Sequence, residues 1–177
     1  MPVPDFSPGE VLTAAAMDSI GLWLVKTQTV GTAVSSVTVN DAFSANYDAY
    51  KVVWSGGFGS NATGLALRVG GSTANYSHVL FWTTIGTNVA NVDANANTSQ
   101  CNYLGSTTTT SGTLSCDIIN PFISTLHTTF TGGSYIANDF GMAVGRHNVA
   151  QSNTSLTVLS LSGTMTGGTI RVYGYRK

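Results

Sequence analysis

The chain has 177 residues but only 7 Lys and Arg and 8 Asp and Glu, so 8% is charged where a soluble domain carries about 25%. That deficit excludes coiled coils and helical bundles, which need Glu, Lys and Arg in quantity. With a net charge of −1 it also argues against a nucleic-acid surface, which needs clustered basic residues. A composition 42% hydrophobic and 10% aromatic can build a core, which excludes a disordered tail, and no apolar run of about 18 residues is present to insert in a membrane. What remains is a β-rich domain whose surface is dominated by Thr, Ser, Asn and Gly. So few charges are unusual for a free monomer, because charge keeps soluble proteins apart; a surface covered by other subunits resolves this.

In chain order, residues 1–10 lack the basic and apolar regions of a secretory signal. Ser7, Pro8 and Glu10 read as a capping box. Val11, Leu12, Ala15, Ala16 and Ile20 then fall on one helical face, which predicts one short helix over residues 8–19 ending before Gly21. Three turns are marginal in water, so this face must pack on something.

From Leu22 the period changes to two. Strands are expected at 22–30, 37–40, 50–54 (ending at Gly56-Gly57), 65–69 and 78–85, the last the most apolar and so expected to be central. Later strands are expected at 100–104, 112–119, 126–131, 140–146, 154–162 and 168–175. About 8–10 short antiparallel strands with turns between them predict an all-β sandwich or barrel. Thr107–Thr110 reads as a hairpin tip, which sets Gly105 opposite Gly112, Tyr103 opposite Leu114 and Cys101 opposite Cys116. The two cysteines would then be neighbours, read as buried thiols behaving as small hydrophobes rather than as a disulfide.

Chemistry is hard to find. His78, His127 and His147 are scattered, and HxH, HExxH and CxxC spacings are absent. His78 reads as structural and His147 as part of an exposed loop. A glycosidase needs two carboxylates in a cleft, but Asp41, Asp48, Asp93, Asp117 and Asp139 all have turn-like neighbours and read as turn residues. No nucleophile elbow or phosphate-binding glycine loop is present. The reading is therefore a non-enzyme without cofactor or metal. Trp23, Trp54 and Trp82 read as core. Arg171, Tyr173 and Tyr175 share one face of the last strand, where they suit either a sugar or a subunit seam.

Both ends and the middle carry motifs. The opening, with Phe6, Gly9 through Ala15 and Met17 in place, resembles the pattern F-x-x-G-E-V-L-T-A-A-x-M-N of many tailed-bacteriophage virion proteins; Asp18 stands where Asn is usual. Phe43, Ser44, Tyr47, Asp48, Tyr50 and Val52 are similar to the phage pattern FSxxYDxYxV. Asn120-Pro121-Phe122 and the ending GGTIRVYGYRK resemble further segments of the same proteins. The resemblance implies a virion structural protein: a minor tail or tail-fibre component, or a capsid decoration or head-fibre protein. It implies a homotrimeric jelly roll attached to other virion proteins through its N-terminal segment; the competing reading is a carbohydrate-binding module without catalysis that recognises host-cell glycan, which a tail fibre can also do. Residues 1–30 are then expected to attach and oligomerise, through Phe6, Val11, Leu12, Ala15, Ala16 and Ile20, and residues 31–177 to form the projecting β-sandwich.

Overall fold

A computed structural model describes residues 21–176. The expected helix over 8–19, and with it Phe6, Val11, Leu12, Ala15, Ala16 and Ile20, lies outside the described residues. Within them the chain is all-β, with no helix and twelve strands: β1 (Leu22–Thr29), β2 (Ser36–Val39), β3 (Ala49–Gly59), β4 (Thr63–Val69), β5 (Tyr76–Thr84), β6 (Ala90–Thr98), β7 (Cys101–Thr107), β8 (Gly112–Ile119), β9 (Thr128–Ile136), β10 (Asp139–His147), β11 (Leu156–Ser160) and β12 (Met165–Tyr175). The boundary expected at residue 30 falls just after β1, whose whole length is hydrogen-bonded to β12.

Every strand pairing is antiparallel, and all twelve strands belong to one branched, curled sheet. The branch is β8. Along one edge it pairs with β3, which leads to β12 and β1. Along the other edge, residues 112–114 pair with β7, which leads to β4, β11 and β2. Residues 116–119 pair instead with β9, which leads to β10, β5 and β6. The β7 arm folds over the inner face of the rest. A Cβ built on Gly132 of β9 would strike the Leu104 backbone, and one on Gly145 of β10 would strike the Cys101 sulfur. The core fills the space between, with Tyr50, Leu67, Tyr76, Leu104, Leu114, Ile118, Phe130 and Ile170 fully buried.

Several expectations are corrected here. β3 does not end at Gly56-Gly57 but continues to Gly59. Gly56 takes a φ of 77°, and Gly57 is used for packing: Trp54 is 1% exposed, and a side chain at Gly57, Gly112 or Gly168 would collide with its indole. The indole Nε1 donates to the Gly167 carbonyl at 3.1 Å. β6 was not anticipated, because ANVDANANT lacks the β-branched run that marks a strand. The 101–116 hairpin is shifted by two residues: Gly105 faces Leu114 and Thr107 faces Gly112. The tip is formed by residues 108–111, closed by the Thr108 amide donating to the Ser111 carbonyl, and beyond Gly105 the strand bulges at Tyr103, which has φ 63°. Cys101 therefore faces Leu67 of β4, while Cys116 lies between Val52 and Gly132.

The FSxxYDxYxV residues form a structural corner. Phe43 and Tyr47 meet the Tyr50 ring edge-on at 4.8 and 5.7 Å. The Tyr50 hydroxyl accepts from the Ser44 amide at 2.8 Å and donates to the Ser44 carbonyl at 3.0 Å. The Asn120-Pro121-Phe122 turn is held by Asn153, whose amide and side-chain nitrogens both donate to the Pro121 carbonyl.

Candidate functional site

The eight strands β1-β12-β3-β8-β9-β10-β5-β6 present a continuous outer face. On its β12 side Arg171, Tyr173 and Tyr175 do share one face, each half-buried. The registers set Arg171 beside Val53, Tyr173 beside Lys51, and Lys51 beside Asp117. The Tyr175 hydroxyl donates to Asp117 at 2.6 Å, and Lys51 pairs with Asp117 at 3.3 Å. Asp117 is thus a mid-strand acceptor, not the turn residue expected of it.

This bond to Asp117, aided by partial burial and the carboxylate's charge, pushes the Tyr175 phenol up to about 12 from an ordinary 10.0. Because the folded value is raised, the stabilisation is complete below pH 10 and lost as pH rises toward 12. Asp117→Ala is expected to return Tyr175 toward ordinary ionisation, read from tyrosine ring-carbon resonances across the alkaline range. An unchanged Tyr175 titration would contradict the assignment.

On the β6 side the outer face is apolar and uncovered. Val92 faces Phe81, which faces Met142; Ala94 faces Val79, which faces Val144; Phe140 lies beside Tyr135. Phe81 is 56% exposed and Met142 57%. Segment 78–85, expected to be central, is instead β5, next to the terminal strand β6, and its apolar residues point to both faces. The pattern of β6 is inverted: Ala90, Val92 and Ala94 point outward and exposed, while Asn91 and Asp93 point inward and are half-buried. A solvated outer face would select the opposite arrangement.

Of these inward residues Asp93 borders a cleft of about 210 Å³ under β7. Its walls include Leu80, Trp82, Asp93, Tyr103, Ser134 and Asp139. Asp93 accepts from the Asn95 side chain and Asp139 from the Thr84 hydroxyl. Ser134 is 3% exposed and its hydroxyl has no hydrogen-bond partner. Neither Asp93, in mid β6, nor Asp139, which opens β10, behaves as the isolated turn residue expected of it; Asp41 does lie in a turn, with φ 52°. Trp82 lines this cleft and Trp23 is 36% exposed, so only Trp54 of the three tryptophans is fully in the core. The sequence signal for the cleft was the Ala/Val alternation with Asn/Asp across residues 90–95.

Cys101 and Cys116 are both buried and free. Burial pushes the Cys101 thiol up to about 12 and raises Cys116 further, so neither presents a thiolate for reaction. Both are expected to be inert to a thiol reagent such as DTNB in the native protein at mildly alkaline pH, and both to react in guanidinium; a fast native reaction of either would contradict this. His78 is buried as expected. His147 is not in a loop: it ends β10 fully buried, its Nε2 3.0 Å from the Ser72 hydroxyl and its ring 4.6 Å from that of Tyr76. Among the described residues no group of three or more His, Cys, Asp or Glu could hold a metal ion.

No family model matches the chain, and no curated protein matches it. Among solved structures it is similar to the Gt strain of infectious bursal disease virus, at 12% identity over 98% of this chain and 45% of that one, TM-score 0.15. The VP2 subviral particle of the same virus gives 8% identity, 98% and 46% coverage and a TM-score of 0.15. The Gx strain gives 12%, 100% and 46%, with a TM-score of 0.16. This chain spans less than half the length of each. At such TM-scores these likenesses carry no argument about fold or role.

Proposed function

We propose that this chain is a non-catalytic structural component of a tailed-bacteriophage virion, of the minor tail or tail-fibre type, whose β-body is a jelly roll assembled as a homotrimer. The observation that carries the reading is the outward apolar face of β6, β5 and β10, with Phe81, Val92, Met142, Phe140 and Val144 all exposed. A contiguous face of this kind marks an interaction surface, and cyclic assembly buries the same patch in every copy. The scarcity of charge supports it, since few like charges need to be brought together. So does the phage-like sequence of both ends, with residues 1–30 as the attachment segment and the body projecting toward host glycan.

Deleting residues 1–20 is expected to abolish incorporation into particles while leaving a folded β-body, read by particle composition and circular dichroism. A truncated chain that still enters particles would refute the attachment role. Where the full chain sits on the particle separates a tail component from a capsid decoration protein.

A further inference from the structure

We propose that the cleft under β7 binds a small organic ammonium group, such as the head of an alkylamine or of a lysine side chain. This goes beyond the virion reading and stands on the cleft's own geometry.

The cleft carries uncancelled charge. The ion pairs among the described residues are Lys26–Asp41 and Lys51–Asp117. The two carboxylates that line the cleft, Asp93 and Asp139, belong to neither; their side-chain donors are the neutral Asn95 and Thr84. His78 lies close enough for the Asp93 charge to act on it, but it is 2% exposed with both ring nitrogens unpartnered, and burial lowers its pKa below the ordinary 6.5. It therefore stays neutral at physiological pH and supplies no counter-charge. The two lie on strands either side of β5, opposite Leu80 and Thr84, and two like charges lining one partly enclosed cleft favour a cation within it.

The remaining walls suit an ammonium. Trp82 and Tyr103 supply aromatic faces, which attract cations through the ring quadrupole, more strongly where water is excluded. The orphan hydroxyl of Ser134 offers a further acceptor beside the carboxylates. Tyr103 is held at φ 63°, a conformation costly for a bulky residue, in the bulge that interrupts the β4–β7 ladder between Gly105 and Cys101. The volume of about 210 Å³ lies below the roughly 300–1,000 Å³ of pockets for drug-sized ligands, which limits the occupant to a compact head group. A neutral sugar ring would also fit this volume, but it would leave both carboxylate charges uncancelled.

The test is an NMR titration of the full chain with n-butylammonium chloride at constant ionic strength, with sodium chloride as control and methyl glucopyranoside as the neutral competitor. Saturable shifts confined to the Trp82 indole and to residues around Asp93, Tyr103, Ser134 and Asp139 are expected. Asp93→Asn and Asp139→Asn should each weaken binding about tenfold or more, since a charge-assisted bond is roughly twice as strong as a neutral one, and otherwise leave the spectrum unchanged. A lysine derivative blocked at its α-amine and carboxyl reports the source: tighter binding than butylammonium points to a peptide lysine, equal binding to a free amine. The proposal is overturned by shifts no larger than those from sodium chloride, by binding indifferent to both Asn variants, or by tighter binding of the glucopyranoside. None of these outcomes bears on incorporation into particles, so the two proposals fail separately.

Discussion

Replacing Trp54 with alanine is expected to lower the unfolding free energy by about 3–5 kcal/mol, the range for emptying a large aromatic site. For a chain of this size that corresponds to a fall in Tm of roughly 6–20 °C. Trp54 sits where three parts of the sheet meet: on β3, with Leu114 of β8 on one side and Ile170 of β12 on the other. Its ring fills a slot floored by glycine backbone at positions 57, 112 and 168. These glycines have no side chains to lean into the void, so the slot cannot close when the indole is removed. The Gly167 carbonyl also loses the indole donor, an added cost of about 1–3 kcal/mol if water does not replace it. The converse change, Gly112→Ala, places a methyl inside the ring's envelope and should cost about 1–3 kcal/mol through overpacking. Denaturant unfolding followed by circular dichroism checks both. A loss below about 1 kcal/mol for Trp54→Ala would be below the range for an aromatic core site and would show that the slot is not a pivot of the fold.

The second large effect is on assembly. Phe81→Glu combined with Met142→Glu places two carboxylates side by side at the centre of the outer apolar face, since these residues are cross-strand partners. Both side chains are more than half exposed in the single chain, so stability of the isolated fold should change by only about 0.5 kcal/mol per site. A face buried between copies would instead have to desolvate several like charges, a cost of several kcal/mol per ion. Sedimentation equilibrium is expected to show the unaltered chain as a trimer and the double variant as a monomer with an unchanged circular dichroism spectrum. A trimer that persists in the variant, or an unaltered chain that is monomeric, would contradict the role given to this face.

Much of the architecture was legible in the sequence because period-two patterning is local. Eleven of the twelve strands overlap expected segments, some by only half their length, and β8 agrees to the residue, although twelve strands exceed the 8–10 expected. β6 escaped because its strand character comes from pairing with β5 rather than from its own residue types. The hairpin register is set by a tip at residues 108–111, which the uniform Thr/Ser run around it does not mark, and the bulge at Tyr103, a tyrosine at positive φ, has no sequence signature. The Gly56-Gly57 pair looked like a strand end because glycine usually weakens strands, whereas here the missing side chains admit the Trp54 ring from elsewhere in β3.

The candidate sites divide in the same way. Arg171, Tyr173 and Tyr175 could be placed on one face by alternation alone, but Asp117, which holds Tyr175, lies 58 residues away and reaches it only through the β12-β3-β8 registers. The cleft joins β5, β6, β7, β9 and β10. Its carboxylates, read one at a time, look like turn residues, and only the β6-β5-β10 pairing brings them to one cleft. The two cysteines were expected to face each other, and the two-residue shift instead gives them different strand partners.

The most direct measurement of the proposed virion role is gold-labelled antibody against residues 21–176, imaged by electron microscopy on particles purified from cells that produce the chain. The account predicts gold at a fixed position on the tail, in multiples consistent with trimers. Particles free of gold, prepared from a lysate that contains the protein, would contradict it.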